Sequence, residues 1–148
     1  MTDATEHEDA FKNRVANAAR TLSACAGYFI DRISFDAFAQ EDSMEIALRG
    51  GPWKPDVVIS LSNLHQVSVA KGPELSGSFI DEISLIHLPK MPHPWPDDAI
   101  GRLPRFGGLS EFAWLRIIGP AEVEAIASIV TVYTAMSDAE ATSAQQTA

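Results

Sequence analysis

The amino-acid sequence predicts an α+β fold, in which an N-terminal helix is followed by a mainly antiparallel β-sheet of about six strands. Apolar residues near the N-terminus recur at the three- and four-residue spacing of an amphipathic helix. From residue 28 onward, the apolar residues alternate instead or form short β-branched runs, as they do in strands. Most segments between these runs are short turns with glycine or proline, which suit antiparallel neighbours. We therefore expect a single α+β domain over residues 1–136 and a disordered tail of small and polar residues over 137–148.

The first predicted element is a helix from about residue 6 to about residue 25. Thr5 and Glu8 match the T-x-x-E pattern, in which two side chains bond the free amides at the start of a helix. Gly27 suits the position just past a helix end, because glycine readily adopts the left-handed conformation that is common there. One apolar stripe should face the sheet, and its residues are Phe11, Val15, Ala18, Ala19, Leu22 and Cys25.

The next predicted elements are a hairpin and a long strand. The segments "YFIDRISFDAFAQ" and "SMEIALRGG" alternate between apolar and polar residues, with a polar turn between them. In the first segment, one face is predicted to consist of Phe29, Ile33, Phe35 and Ala37. After the turn "GGPWKPD", the β-branched run "VVISLSNLHQVSVAK" predicts one long strand, or two strands with a bulge near Asn63.

Strand and helix compete in two segments of the second half. The segment "FIDEISLIHLP" has some apolar residues at helical spacing, but its β-branched content favours a strand. The segment "EFAWLRII" alternates as a strand does. Beyond Gly119-Pro120 we predict strands at 121–127 and 129–135, which could form one bent strand. A helix that begins at Pro120 is the alternative.

Charge and cysteine content limit the classes of partner. The formal net charge is −9 and the isoelectric point is about 4.7. Nucleic acids and anionic membranes are therefore not expected partners, because both attract basic surfaces. The charge fits either a solvated acidic surface or a protein partner that is itself basic. A single cysteine, no recognisable signal peptide and no apolar run long enough to cross a bilayer indicate a cytoplasmic protein.

The most unusual segment is "HLPKMPHPWPDD", residues 87–98, with four prolines, two histidines, one tryptophan and two aspartates. His87 and His93 are followed closely by Asp97 and Asp98. A zinc site commonly draws three or four ligands from tight spacings that often include cysteine. The spacing here matches no such pattern, so we predict neither a metal nor a cofactor.

No motif in the sequence indicates a reaction. The glycine-containing segments lack the spacing of nucleotide-binding loops and of a nucleophile elbow. Glu122 and Glu124 would share one face of a strand, and we interpret them as solvated. Cys25 lies among small apolar residues, which indicates a buried thiol and not a nucleophile. We therefore favour a protein that is not an enzyme.

Aromatic residues in loops are the remaining indication of a binding surface. Trp53 and Trp95 both lie in proline-bounded segments, and tryptophan is over-represented at binding hot spots. Proline stiffens a loop and lowers the ordering cost of binding. The predicted partner-binding residues are Trp95, Asp97, Asp98, His93 and Trp53. The alternative is that each tryptophan packs on its own domain and that residues 87–108 form only a stiff connector.

Five segments follow one another in an order that is found in other proteins: "ISFD", "MEIAL", "VVISLSNLHQVSV", "SFIDEISL" and "WLRIIGPAEVEAIASIVTVY". This arrangement, which covers most of residues 28–135, resembles small uncharacterised β-rich bacterial domains of the immunity-protein type. Immunity proteins bind and neutralise a toxin of the same cell or of its rivals. The resemblance implies an inhibitor of a basic enzyme such as a nuclease. It has no diagnostic motif, so it assigns no functional residue in this chain.

Three hypotheses of function follow. The first is a non-enzymatic protein-binding module that contacts a basic partner through the 87–108 loop, with Trp95 as an anchor. The second is a small-molecule pocket between the helix and the sheet, with polar groups such as His65 or Arg116. The third is an accessory or oligomerising subunit, which forms a homodimer through an edge strand near the C-terminus.

Overall fold

The computed structural model describes residues 2–36, 42–71, 79–119 and 121–135, with side chains from Ala10 onward. One α-helix is followed by six strands in one antiparallel sheet, which confirms the predicted fold class. The helix α1 spans Thr2–Ser23. The strands are β1 Phe29–Asp36, β2 Ser43–Arg49, β3 Asp56–Lys71, β4 Glu82–Leu88, β5 Phe112–Ile118 and β6 Ala121–Ala135. The predicted tail, 137–148, lies outside the described residues.

The strand order β1-β2-β3-β6-β5-β4 divides the sheet into two meanders. Each meander runs from an edge strand through a short strand to a long one, and the two long strands, β3 and β6, pair in the middle. The C-terminal strand therefore lies in the interior of the strand order, and the edge strands are β1 and β4. The prediction of an edge strand near the C-terminus is wrong for residues 123–127 of β6, because these residues pair with β3 on one side and with β5 on the other.

The two long strands reach beyond their short neighbours. β2 pairs with β3 only up to Ser62, whereas β5 pairs with β6 only over residues 123–127. Residues 64–71 of β3 and 129–135 of β6 therefore have a β-strand partner on one side only, within the part of the chain that is described.

Both long strands change direction at one point, near Asn63 and Ser128. Asn63 has a φ of 57°, in the left-handed region, and the register shifts between Leu64 and Gln66. In a regular strand every second side chain faces the core. Here the spacing between core-facing residues is three instead of two, from Leu61 to Leu64 in β3 and from Ala127 to Val130 in β6. The structure confirms one long strand with a bulge near Asn63, and it confirms a single bent strand over 121–135.

The main core lies between α1 and one face of the sheet. All six residues of the predicted helical stripe belong to it; Val15, Leu22 and Cys25 are almost fully buried. The helix packs chiefly on β4, and also on β6. It begins at Thr2, so the prediction that Thr5 caps its N-terminus is wrong. Gly27 has a φ of 88°, as expected just past a helix end. No helix among the described residues is both long and apolar enough to span a bilayer.

The edge strand β1 departs from the predicted alternation. Its pairing with β2 slips between Ile30 and Arg32, so Ile30 and Ile33 both contact the main core. Phe35 was predicted on the core-facing side but is 54% exposed, because no other strand lies beyond β1 to cover it. Ala37, the last residue predicted on this face, lies outside the described residues.

A second, smaller core lies on the opposite face of the sheet. Leu88, Phe112, Trp114 and Ile126 from three neighbouring strands face away from α1 and pack against Trp95 and Ala99. The latter two belong to the connection between β4 and β5, residues 89–111, which we call the proline-rich loop. The loop thus forms a third layer over this half of the sheet.

Candidate functional site

The proline-rich loop contains the predicted contact residues, and its backbone is well supported. A single turn of 3₁₀ helix, Asp97–Ala99, directly follows Pro96. Backbone hydrogen bonds join His93 to Lys90 and Leu109 to Phe106, and a short bridge joins Ile100 to Leu103. The loop is long and has little regular secondary structure, but it is tied together locally and packs on the sheet.

Trp95 holds the loop to the sheet from inside. Only 4% of its surface is exposed, and its ring meets Phe112 edge to face with the centroids 6.3 Å apart. Its indole Nε1 donates a hydrogen bond to the carbonyl oxygen of Pro89 at 2.7 Å. The expectation that Trp95 is a solvent-facing anchor is therefore wrong. The apolar surface of Leu88, Phe112 and Ile126 draws the ring inward, which is the alternative considered from the sequence.

Arg105 completes this internal support. Its guanidinium carbon lies 4.7 Å from the centroid of the Trp95 ring, which is cation–π geometry. Nη2 of the same side chain donates to the carbonyl oxygens of Pro89, at 3.1 Å, and of His93. The Arg105 side chain therefore links the second half of the loop to Pro89 and His93 in its first half, and it also contacts the Trp95 ring.

A cleft of about 610 Å³, the His87 cleft, opens between α1 and the start of the loop. Lys12 contributes from the helix, His87 from the end of β4 and Glu111 from just before β5. The rest of the lining comes from six consecutive or near-consecutive loop positions: Pro89, Lys90, His93, Pro94, Trp95 and Pro96. The volume lies within the usual range for small-molecule sites.

His87 and Glu111 form a close pair in this cleft. Nε2 of His87 lies 2.6 Å from Oε2 of Glu111, and the two side chains are only 15% and 12% exposed. When Glu111 is ionised its carboxylate can only accept, so this hydrogen bond then requires a proton on Nε2 of His87. The His87 ring is also 5.6 Å from that of Phe11, on α1. The imidazole is thus fixed from two sides, by a carboxylate and by an aromatic ring.

A second cavity lies on the other side of Trp95. This Ile100 groove, of about 470 Å³, is lined by Ile100, Gly101, Leu103, Pro104 and Arg105, and shares only Trp95 with the His87 cleft. Ile100 is 64% exposed. Asp97 and Asp98 immediately precede this segment and are both exposed. The groove is therefore lined mainly by apolar residues, together with Arg105, and two exposed carboxylates precede it in the sequence.

The charged residues near the groove form partial pairs. Arg102 Nε lies 3.0 Å from Oε1 of Glu124, which also accepts a hydrogen bond from Trp114 Nε1 at 3.1 Å. Arg116 Nη1 lies 3.8 Å from Oδ2 of Asp98, whose side chain is 77% exposed. Glu124 is thus held by two donors and is not the solvated residue predicted from the sequence, whereas Asp98 remains largely open to solvent.

The structure separates the predicted site residues into four locations. His93 lies at the rim of the His87 cleft, Asp97 and Asp98 lie beside the Ile100 groove, and Trp95 lies beneath both cavities. Trp53 is 93% exposed, but it lies in the turn between β2 and β3 and lines neither cavity.

The polar groups proposed for a pocket between helix and sheet do not converge. The His65 ring contacts Phe112 in a tilted arrangement, with the ring centroids 4.5 Å apart and the planes at 55°, and its Nε2 lies 3.1 Å from Ser128 Oγ. Arg116 lines a different, smaller cleft. The polar pair that does meet beside the helix is His87 and Glu111. The prediction that His65 or Arg116 supplies the polar groups of a pocket there is therefore wrong.

Two arrangements that support catalysis in other proteins are absent from the described residues near these cavities. In the described ranges, no three His, Cys, Asp or Glu side chains lie close enough together to hold a metal ion. The residues that line the His87 cleft include no Ser, Thr, Cys or Tyr, so no hydroxyl or thiol nucleophile lies beside the histidine. Cys25 is elsewhere, in the main core, and its burial raises the pKa of the thiol, which Lys54 partly offsets.

Comparison with known proteins yields no relatives. No protein-family model, no curated protein and no solved structure matches this chain. The resemblance to immunity-type domains therefore stays a prediction, and the function must be argued from the site.

Proposed function

We propose that the chain is a non-enzymatic protein-binding domain that contacts a basic partner at the Ile100 groove, and that an immunity-type inhibitor of a basic toxin is its most specific form. The observation that carries this proposal is a mainly apolar groove that follows two exposed aspartates, on a loop that is fixed from inside. The single cysteine of the chain, Cys25, is a buried free thiol, which accords with a reducing compartment such as the cytoplasm.

Exposed apolar side chains on the loop support a contact surface. Ile100 is 64% exposed, Phe106 59% and Met91 48%, all within the proline-rich loop. A large aliphatic or aromatic side chain loses little by being covered in a complex and gains the free energy of removing apolar area from water. Such residues on a well-supported loop are typical of recognition surfaces.

The charge of the loop and of the chain favours a basic partner. Asp97 and Asp98 lie directly before the groove, and Asp98 keeps 77% of its side chain exposed despite its contact with Arg116. The net charge of −9 extends this attraction to longer range. Such a field speeds encounter with a basic partner and disfavours acidic competitors.

The internal support of the loop lowers the cost of binding. Trp95 and Arg105 both donate a hydrogen bond to the carbonyl oxygen of Pro89, so contacts within the chain itself fix this part of the loop. A preformed surface loses less conformational entropy on binding than a flexible one. In this proposal Trp95 still matters for binding, but it acts by holding the loop and not by touching the partner.

The experiment is a pull-down from the native host with matched variants. We expect the wild-type domain to capture a basic protein, and Ile100→Ser or the double variant Asp97→Lys/Asp98→Lys to weaken that affinity by about tenfold or more. Asp81→Lys/Glu82→Lys is the charge-matched control, and Phe35→Ser is the control for an exposed apolar residue, since neither lies on the loop. The proposal fails if both loop variants bind as well as these controls, or if the captured protein is acidic.

A further inference from the structure

We propose that the His87 cleft is a binding site for a small organic anion with an apolar body, that is, a carboxylate or phosphate attached to a ring or short hydrocarbon. This binding function is separate from the proposed protein contact, because the cleft and the Ile100 groove share only the buried Trp95.

The distribution of charge in the chain sets the cleft apart. The chain has eleven basic residues, which are four lysines and seven arginines, together with four histidines, against twenty acidic residues. Two of those lysines, Lys12 and Lys90, and two of those histidines line this one cleft. A single carboxylate, Glu111, accompanies them. A strongly acidic protein therefore has a local site that favours negative charge.

Glu111 offsets only part of this local preference, because two lysines line the cleft against one carboxylate. Its Oε2 is bonded to His87 Nε2 at 2.6 Å, and its side chain is only 12% exposed. Among the residues whose side chains are described, no carboxylate lies within ion-pair distance of Lys12 or Lys90. The two ammonium groups are therefore available to an anion, while the one acid nearby is engaged by a histidine.

The remaining walls suit an apolar body. Pro89, Pro94 and Pro96 line the cleft, and the Trp95 ring forms part of its boundary. Proline rings present flat apolar surface without a backbone donor. The volume of about 610 Å³ exceeds what a lone phosphate or acetate would fill. Apolar walls and cationic groups together indicate an amphipathic anion and not an inorganic ion.

The walls are also held in place. The hydrogen bonds from Trp95 and Arg105 to the Pro89 carbonyl fix the start of the loop, and Arg105 bonds the carbonyl of His93 as well. The pair of His87 and Glu111 joins the end of β4 to the start of β5. Because these bonds are all made within the chain, the walls of the cleft are held in place and binding costs little conformational entropy.

The test is a titration of the full chain followed by two-dimensional NMR. The probes are benzoate and phenyl phosphate, with benzyl alcohol as a neutral analogue and inorganic phosphate as a charge without an apolar body. We expect both aromatic anions to shift the indole N–H resonance of Trp95 saturably, and the two control compounds to bind at least about fivefold more weakly. Comparison of the two anions distinguishes a carboxylate ligand from a phosphate ligand.

Charge-reversal variants locate the site. Lys12→Glu and Lys90→Glu should each weaken binding of the preferred anion by about fivefold or more, because each replaces an attraction with a repulsion. Lys71→Glu is the matched control, since it changes the net charge equally at an exposed position that does not line the cleft. All three lysines are exposed, so the variants should fold, which circular dichroism checks.

Three results would overturn the proposal. One is that neither aromatic anion binds saturably. Another is that benzyl alcohol binds as tightly as benzoate, which would show that the cationic groups contribute nothing. The third is that Lys71→Glu weakens binding as much as the two cleft variants, which would indicate attraction to the whole surface and no defined site.

Discussion

Gly50 shows at the scale of one residue how closely the main core is packed. A Cβ atom placed at this position would lie 2.5 Å from Cζ of Tyr28 and 2.6 Å from its Cε1. Tyr28 is 8% exposed and its ring also lies under Lys54, whose Nζ is 5.5 Å from the centroid. The glycine is needed here because of the neighbouring ring, and not because of its own backbone conformation.

We expect Gly50→Ala to lower the free energy of unfolding by about 1–3 kcal/mol, the usual cost of adding an atom to a filled site. Urea denaturation measures the change. The matched control is Gly107→Ala, where an added Cβ meets nothing within 4 Å and the free energy should change by no more than about 0.5 kcal/mol. Equal effects of the two substitutions would contradict the close contact with Tyr28.

Cys25 gives a pH dependence whose sign can be worked out. Burial raises the pKa of its thiol above the usual value of 9.0, so above that pH the folded chain retains a proton that the unfolded chain releases. The stabilisation is complete below pH 9.0 and is lost as the pH rises through the raised value of the folded state.

The measurement compares the wild type with Cys25→Ala by urea unfolding at several values between about pH 8 and about pH 10.5. Other groups that titrate in this range are common to both proteins and cancel in the difference. We expect the advantage of the wild type over the variant to shrink as the pH rises. A constant or growing advantage would mean that the thiol is not shielded from water in the folded state.

At the scale of elements, the paired strands β3 and β6 determine the shape of the sheet. Each is about twice as long as its outer neighbour, and both bend at Asn63 and Ser128, where Asn63 Nδ2 donates to Ser128 Oγ at 3.1 Å. The bend changes which side chains face the core, so both halves of the ribbon supply residues to the same main core. The position therefore requires a residue that tolerates a left-handed backbone.

We expect Asn63→Gly to be more stable than Asn63→Ala by about 1 kcal/mol, because both lose the bond to Ser128 but only alanine is strained at a positive φ. Thermal or urea unfolding measures the difference. The same pair of substitutions at Ser62, the preceding strand residue, should give the opposite order, since glycine weakens a regular strand. The same order at both sites would show that the backbone of Asn63 is not strained for alanine.

Periodicity predicted the elements well because it depends on local sequence. The helical stripe from Phe11 to Cys25, the strand order in sequence and the single bent strand at the C-terminus all appear as expected. The errors arise where tertiary neighbours decide. Phe35 is exposed because β1 has no outer neighbour, and the helix starts earlier than the capping pattern of Thr5 indicated.

The candidate site was only partly predictable for the same reason. The proline-rich segment was singled out correctly by its composition, and His93 lies at the rim of a cleft. Lys12 and Glu111 meet His87 only after the helix has packed on β4 and β5 has paired with it, so no short sequence pattern connects them. The exposure of Trp95 was predicted wrongly because the apolar surface that covers its ring comes from Phe112 and Ile126, which lie far along the chain.

At the scale of the whole molecule, the fold has three layers, and the two proposed binding sites lie at different places in them. The helix covers one face of the sheet, and the proline-rich loop covers part of the other. The His87 cleft lies where the helix and the start of the loop approach each other, whereas the Ile100 groove lies farther along the loop. The excess of negative charge surrounds both sites and affects the stability of the fold itself.

We expect the thermal midpoint of unfolding at pH 7 to rise when sodium chloride is increased from about 10 mM to about 200 mM, because salt screens repulsion within a chain of net charge −9. Circular dichroism measures the midpoint. The same salt step near pH 4.7, where the net charge vanishes, should have a much smaller effect. A fall in the midpoint at pH 7 would indicate that attractive ion pairs outweigh the repulsion.

The offset between long and short strands has a consequence for amide hydrogen exchange. Successive N–H groups of a strand point to opposite sides, so a segment with partners on both sides protects every amide and a one-sided segment protects every second amide. In β6, residues 123–127 lie between β3 and β5, whereas 129–135 pair with β3 alone within the described chain. A single strand should therefore show continuous protection before Ser128 and alternating protection after it.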